Sequence, residues 1–265
     1  CASFRDRSYA VRGPEEFRAH VTGVRSLLGE GLRLRRGIFL ADGNTAALPT
    51  DALVAVGEAA KERFPHLERI TMYGSAKFLA KKSRSEWQQI GAAGITRVHS
   101  GLESGDPVTL EQIAKGVDPE RAVRAFNHVM AAGIELSVYL MVGVAGRERT
   151  REHAVGSADV LNRARPDFVR LRTFVPALGT EWCDRWRRGE LTLLDAHAAL
   201  EETRLLIERL RGPTMVLSDH ISNFLDVHGH VPDDRDLMLA AIDEALERPL
   251  GSFRPPTEQL VGMML

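Results

Sequence analysis

Residues 98–116 read VHSGLESGDPVTLEQIAKG. A β-rich run, Ile95 to Ser100, breaks into a turn carrying Gly101 and Gly105. A helix then starts near Pro107, a residue suited to a first helical turn. Between the glycines stands one carboxylate, Glu103. In parallel α/β proteins, ligands sit at the carboxyl ends of strands. The glycines would let backbone approach a ligand closely, and Glu103 can accept two hydroxyl hydrogen bonds. The plain alternative is a tight β–α turn with a solvated glutamate, and this stretch alone does not choose between them.

The flanking chain repeats one unit. Ala92-Ala93-Gly94-Ile95 and Ala131-Ala132-Gly133-Ile134 each close a helix and open a strand. A left-handed C-cap at the glycine explains both. Helices are expected over Glu15–Leu28, Asp51–Phe64 with Thr50 as N-cap, Ser85–Ala93, Pro119–Ala132 and Thr150–Ala164. Short apolar strands are expected at Gly37–Ala41, Arg69–Met72, Ile95–Ser100, Leu136–Val142 and Phe168–Phe174. LSVYLMV at 136–142 is almost unbroken apolar sequence, as in a strand covered on both faces. Strand starts recur every roughly 30–40 residues, the size of a β–α unit, so the sheet should be parallel with right-handed crossovers.

The expected fold class is therefore α/β: a partial (β/α)6 TIM-like barrel whose first strand lies outside this sequence. Absence of a G-x-G-x-x-G fingerprint weakens a Rossmann alternative. The barrel core should occupy residues 1–185, and a mainly helical C-terminal extension residues 186–265. The extension should hold helices at Thr192–Arg211 and Arg235–Leu246 around a polar, His-bearing stretch, Ser218–His230.

At 265 residues and 44% hydrophobic, the chain can bury a full core. A net charge of −1 gives no electrostatic case for nucleic acid or an anionic membrane, so a small-molecule substrate is favoured. No apolar run approaches the ~20 residues of a membrane span. Two cysteines, Cys1 and Cys183, make no disulfide framework, and a cytoplasmic location is expected. Opening on Cys1 rather than Met, the sequence reads as part of a longer chain.

Every expected strand end offers polar or flexible groups: Asp42-Gly43-Asn44, Tyr73-Gly74, Ser100 to Asp106, Gly143 to Gly146, and Pro176 to Thr180. In a parallel barrel these gather at one mouth, which points to a small-molecule or cofactor site without naming a reaction.

These segments resemble those of the radical S-adenosylmethionine superfamily. Cys1-Ala-Ser-Phe-Arg-Asp-Arg-Ser-Tyr is similar to the tail of its C-x3-C-x2-C loop, with Cys1 as the third cysteine. FLADGNTAAL at 39–48 resembles the strand-two segment, and HSGLESGDPVTLEQIAKG at 99–116 the strand-four segment. Leu140–Gly143 resembles the segment beside adenine, and FVPALGT at 174–180 the one at strand six. The likeness covers about residues 1–180 and is nearest to the core of the tRNA methylthiotransferases and oxygen-independent coproporphyrinogen dehydrogenase.

The resemblance implies two cofactors, a [4Fe–4S] cluster and S-adenosylmethionine, and an electron donor such as flavodoxin or ferredoxin. In the family, three thiolates leave one iron open, and one electron cleaves the sulfonium to a 5′-deoxyadenosyl radical. By resemblance, Cys1 would ligate the cluster, and Asp42, Gly43 and Asn44 would meet the methionyl amine. Glu103, with Ser104 nearby, would hold the ribose hydroxyls. Lys115 would neutralise the carboxylate, and Val142 and Gly143 would flank adenine. Catalytic residues acting on substrate stay unassigned.

Other residues have two readings each. Tyr73 is a strand-end aromatic packing over the barrel, or lies beside the ligand. His99 is a satisfied core histidine or a substrate contact. Cys183, in EWCDRW, packs in its helix rather than binding metal. Arg185, Arg187 and Arg188 form a solvated face or an RNA contact. His220, His228 and His230 are weakly spaced for a metal. A loop over the barrel mouth, touching substrate through His220 and Asn223, suits them better. The leading expectation is a radical S-adenosylmethionine oxidoreductase or transferase. Its rivals are a tRNA-modifying member and a cluster-less barrel serving as a binding protein or subunit.

Overall fold

The computed structural model describes residues 8, 10–41, 43–64 and 66–254. In chain order the helices are α1 (Pro14–Leu28), α2 (Thr50–Arg63), α3 (Ala76–Leu79), α4 (Arg84–Ala92), α5 (Pro107–Gln112), α6 (Pro119–Met130), α7 (Thr150–Ala164), α8 (Glu181–Arg187), α9 (Ala196–Arg209) and α10 (Arg235–Leu246). The strands are β1 (Gly37–Leu40), β2 (Arg69–Tyr73), β3 (Ile95–Glu103), β4 (Glu135–Val142), β5 (Phe168–Thr173), β6 (Thr214–Leu217) and β7 (His228–Val231).

The strands form one seven-stranded sheet in sequence order, with β1 and β7 as its edges, so the sheet is open. β1 with β2, β2 with β3, and β5 with β6 are parallel, whereas β7 returns antiparallel to β6. This is the expected α/β architecture of a partial TIM-like barrel with a C-terminal extension. Two strands exceed the five read from sequence. β6 falls between the two helices expected in the extension, and β7 begins in the polar stretch expected at Ser218–His230. β7 exposes His228 and His230 and buries Gly229 and Val231, so its period-2 pattern is carried by residues of weak strand propensity. Among the described residues, no helix is long and apolar enough to cross a membrane.

The chain divides into two compact units. Of the described residues, 10–101 with 121–137 build one, and 102–120 with 138–254 build the other.

In the first unit, α1 packs Val21 against Leu32 and Phe64, with Phe17, Val24 and Leu28 at the margin. Thr50 begins α2 rather than capping it, and its hydroxyl donates to Glu86 Oε1 at 2.8 Å. Glu86 closes a capping box with Ser83. The Ser83 N–H, then the Thr50 and Ser83 hydroxyls, hold the Glu86 carboxyl down to about 2. The repeated helix closures behave as the sequence implies, with Gly94 at φ 109° and Gly133 at φ 73°.

In the second unit, α7, α9 and α10 pack in succession. The turn after β3 lies hard against α7. A Cβ at Gly105 would collide with the Gly156 carbonyl and lie 2.5 Å from Ser157 Cα. Gly105 N–H donates to Ser157 Oγ at 2.8 Å. The sequence reading gave this glycine to ligand approach; the structure assigns it to helix packing. Gly101, likewise expected in the turn, lies inside β3, which runs on to Glu103.

Candidate functional site

β3 ends on Glu103, whose φ is 68°. Left-handed backbone is unusual for a residue with a Cβ and turns the chain sharply out of the sheet. The Glu103 carboxylate is 21% exposed and meets Lys115 Nζ at 3.0 Å. Lys115 reaches it because α5 ends early and Ala114 also takes positive φ, 51°.

Beneath Glu103 the turn is tied down by buried polar groups. Ser104 is fully buried; its Oγ accepts the Asp106 N–H at 3.0 Å and pairs with His153 Nδ1 at 2.8 Å. Asp106 caps α5 through Thr109, and Arg149 grips its carboxylate at 2.8 and 2.9 Å. Burial would raise the Asp106 pKa, but the Arg149 fork and Thr109 hold it down to about 2.

The end of β4 joins the same network. Gly143 sits at φ 80°, and its N–H donates to Glu202 Oε1 at 2.7 Å. That oxygen also lies 3.4 Å from His153 Nε2. Glu202, on α9, is 1% exposed, and its Oε2 has no hydrogen-bond partner. Burial pushes the Glu202 carboxyl up to about 8, against the pull of the Gly143 N–H. Burial also pushes His153 down to about 4, against the opposing charge of Asp106. At neutral pH both are held largely uncharged, and together they bridge the Ser104 and Gly143 turns. Val142 is buried, so only its backbone is free to meet a ligand, and its carbonyl already accepts the Phe174 N–H at 2.8 Å.

The structure thus brings Glu103, Ser104, Lys115, Val142 and Gly143 into one unit. Gly43, Asn44 and Tyr73 belong to the other unit. There, Asn44 exchanges hydrogen bonds with Ser75, its Nδ2 donating to Ser75 Oγ at 3.2 Å and its Oδ1 accepting Ser75 N–H at 3.1 Å. Gly43 has φ 109°. Tyr73, paired in register with His99, packs its ring 4.7 Å from Phe39 and 5.9 Å from His99. Tyr73 and Phe39 stay about two-fifths exposed, at 41% and 42%. Cys1 and Asp42 lie outside the described residues.

Cys183 is buried in α8, as its setting implied. Among the described residues, no group of three or more His, Cys, Asp or Glu side chains could hold a metal ion. Sequence reasoning passed over His153, Glu202 and Arg149, and named Asp106 only as the end of a polar turn. The signal for Glu202 was a carboxylate set among the apolar positions Ala199, Leu206 and Ile207 of α9.

No protein-family model matches the sequence. The heme chaperone HemW of Mycobacterium tuberculosis is 32% identical over 122 residues, covering 46% of this chain and 31% of that protein. The tRNA uridine(34) acetyltransferase of Methanocaldococcus infernus is 27% identical over 120 residues, covering 45% of this chain and 22% of that protein. The chain thus matches less than a third of either relative's length. Among solved structures, coproporphyrinogen III oxidase (HemN) from Escherichia coli, described as a radical SAM enzyme, superposes with a TM-score of 0.59. The match covers 93% of this chain and 56% of HemN at 14% identity. The chain thus shares its fold with HemN and a stretch of its sequence with HemW.

Proposed function

We propose that the chain binds S-adenosylmethionine and works within a radical S-adenosylmethionine enzyme, an oxidoreductase or transferase acting on a small-molecule substrate. Glu103 carries the reading: a non-glycine residue at φ 68° at a strand's carboxyl end, its accessible carboxylate anchored by Lys115. Such backbone costs on the order of 1 kcal/mol and persists where a ligand needs the geometry.

The residues of the second unit fit the nucleoside. Glu103 accepts the ribose hydroxyls, and Lys115 both orients Glu103 and presents positive charge to the methionyl carboxylate. Gly143, lacking a side chain, lets adenine lie against backbone. Ser104 acts from beneath, through its buried bond to His153. From the resemblance, Asp42, Gly43 and Asn44 take the methionyl amine, Tyr73 stands beside the ligand, and a flavodoxin or ferredoxin supplies electrons.

The described residues do not fit the family's [4Fe–4S] cluster, which needs three thiolates. Their one cysteine is the buried Cys183. Cys1 remains the proposed ligand. What the described residues do is bind, orient and exclude water.

Anaerobically reconstituted full-length protein should carry iron and, with S-adenosylmethionine and dithionite, release 5′-deoxyadenosine measurable by chromatography. Full-length protein with neither iron nor that product would end the radical reading. Modification of tRNA is the second reading, favoured by the stretch shared with tRNA uridine(34) acetyltransferase. A net charge of −1 argues against it. Retarded bulk tRNA in a low-salt gel supports it, and unretarded tRNA dismisses it.

A further inference from the structure

Side chains alternate along β5. Val169 and Leu171 are buried, whereas Arg170 and Arg172 share the opposite face and stay half-exposed. Tyr139 of β4 shares that face: the Arg172 guanidinium lies over its ring, 4.8 Å from the centroid.

The loop before β7 is fastened to the end of β5. Asn223 Oδ1 accepts the Thr173 N–H at 2.8 Å, and its amide nitrogen donates to the Leu171 carbonyl at 2.9 Å and the Ser218 carbonyl at 3.0 Å. Asn223, expected to touch substrate, is therefore spent on holding the loop. His220 lies on the fastened loop, its Nδ1 paired to Ser222 Oγ at 2.8 Å, and it feels the Arg172 charge. Burial first, and the Arg172 charge second, lower the His220 pKa; Asp219 opposes them.

One carboxylate, Asp219, stands against the two arginines. Arg172 has no carboxylate partner among the described residues. Arg170 has Asp219 at 3.7 Å, a long pairing with an exposed carboxylate, and its Nε is buried without a hydrogen-bond partner. The partly exposed guanidinium forks of Arg170 and Arg172 match a planar carboxylate.

We propose that Arg170, Arg172 and His220 form the binding site for a carboxylate of the substrate, with the Tyr139 ring supporting Arg172. This deepens the radical-enzyme reading, and rests on it, by naming the substrate class: a small organic acid. A carboxylate docked beside His220 favours the imidazolium, so binding takes up a proton.

Succinate is the probe, with its uncharged diamide and inorganic phosphate as controls. The readout is the ring C–H resonances of His220 in full-length protein without S-adenosylmethionine. Saturating succinate should raise the His220 titration midpoint by about half a pH unit or more. The diamide should leave it in place, and phosphate should move it less. Arg172→Gln should weaken succinate binding about tenfold, and Arg172→Lys, which keeps the charge, by less. In unliganded Arg172→Gln the midpoint should rise, because a repelling charge is gone. A midpoint unmoved by about 50 mM succinate, or moved equally by the diamide or phosphate, overturns the proposal. Protein that binds succinate but not S-adenosylmethionine keeps this site and refutes the radical reading; the reverse refutes this site alone.

Discussion

Glu103 and Glu202 are two carboxylates treated in opposite ways. Glu103 stays accessible and pairs with the Lys115 ammonium at 3.0 Å. Glu202 is sealed, 1% exposed, with one oxygen unpartnered, so burial raises its pKa to about 8. A folded-state pKa above the ordinary 4.5 means the native protein holds a proton that the unfolded chain has lost, so Glu202 makes stability fall as pH rises toward about 8. His153, depressed from 6.5 to about 4, makes stability rise across that lower window and offsets Glu202 there. Above about pH 6.5 only the Glu202 effect remains. Denaturant unfolding should therefore show stability dropping by on the order of 2 kcal/mol between about pH 6.5 and 8. Glu202→Gln, which cannot ionise, should flatten that drop, and a mutant profile as steep as wild type would refute the assignment. Glu103 was legible as a carboxylate near a strand's carboxyl end, because a β-rich run leads into it, but a solvated turn glutamate would read the same. Glu202 was not, since one glutamate in a mostly apolar helix pattern looks like a surface position until the neighbouring helices are placed.

At the scale of elements, the glycine-closed helices and apolar strands were readable because each rests on local chemistry: a positive φ at Gly94 and Gly133, and unbroken apolar runs. Three features needed tertiary contacts to appear. β3 extends through Gly101 to Glu103, β7 forms from His-Gly-His-Val, and Gly105 serves the approach of α7. The last gives a test. In Gly105→Ala the new methyl meets backbone atoms of Gly156 and Ser157, which cannot swing aside, so thermal unfolding should register a loss of about 2–3 kcal/mol. Gly23→Ala, in α1 with nothing within 4 Å of the new methyl, should be neutral or stabilise by up to about 1 kcal/mol. Equal effects from the two would show that the β3–α5 turn is not packed as described.

For the whole molecule, sequence order and strand order coincide across seven strands, the first six the product of repeating β–α units and the seventh an antiparallel return. That regularity made the fold class legible from one chain. The extension was less so, because β6 and β7 are only four residues each, too short to declare a period. The partnership of His153 on α7 with Glu202 on α9 follows from the packing of those helices and is written in neither helix alone.

The account stands on Glu103 as the group that holds the nucleoside, and calorimetric titration of S-adenosylmethionine into wild-type and Glu103→Ala full-length protein tests it most directly. Loss of a charge-assisted hydrogen-bond acceptor should weaken binding by about 10- to 100-fold while the unfolding temperature stays close to wild type. Equal affinity in the two folded proteins would contradict it.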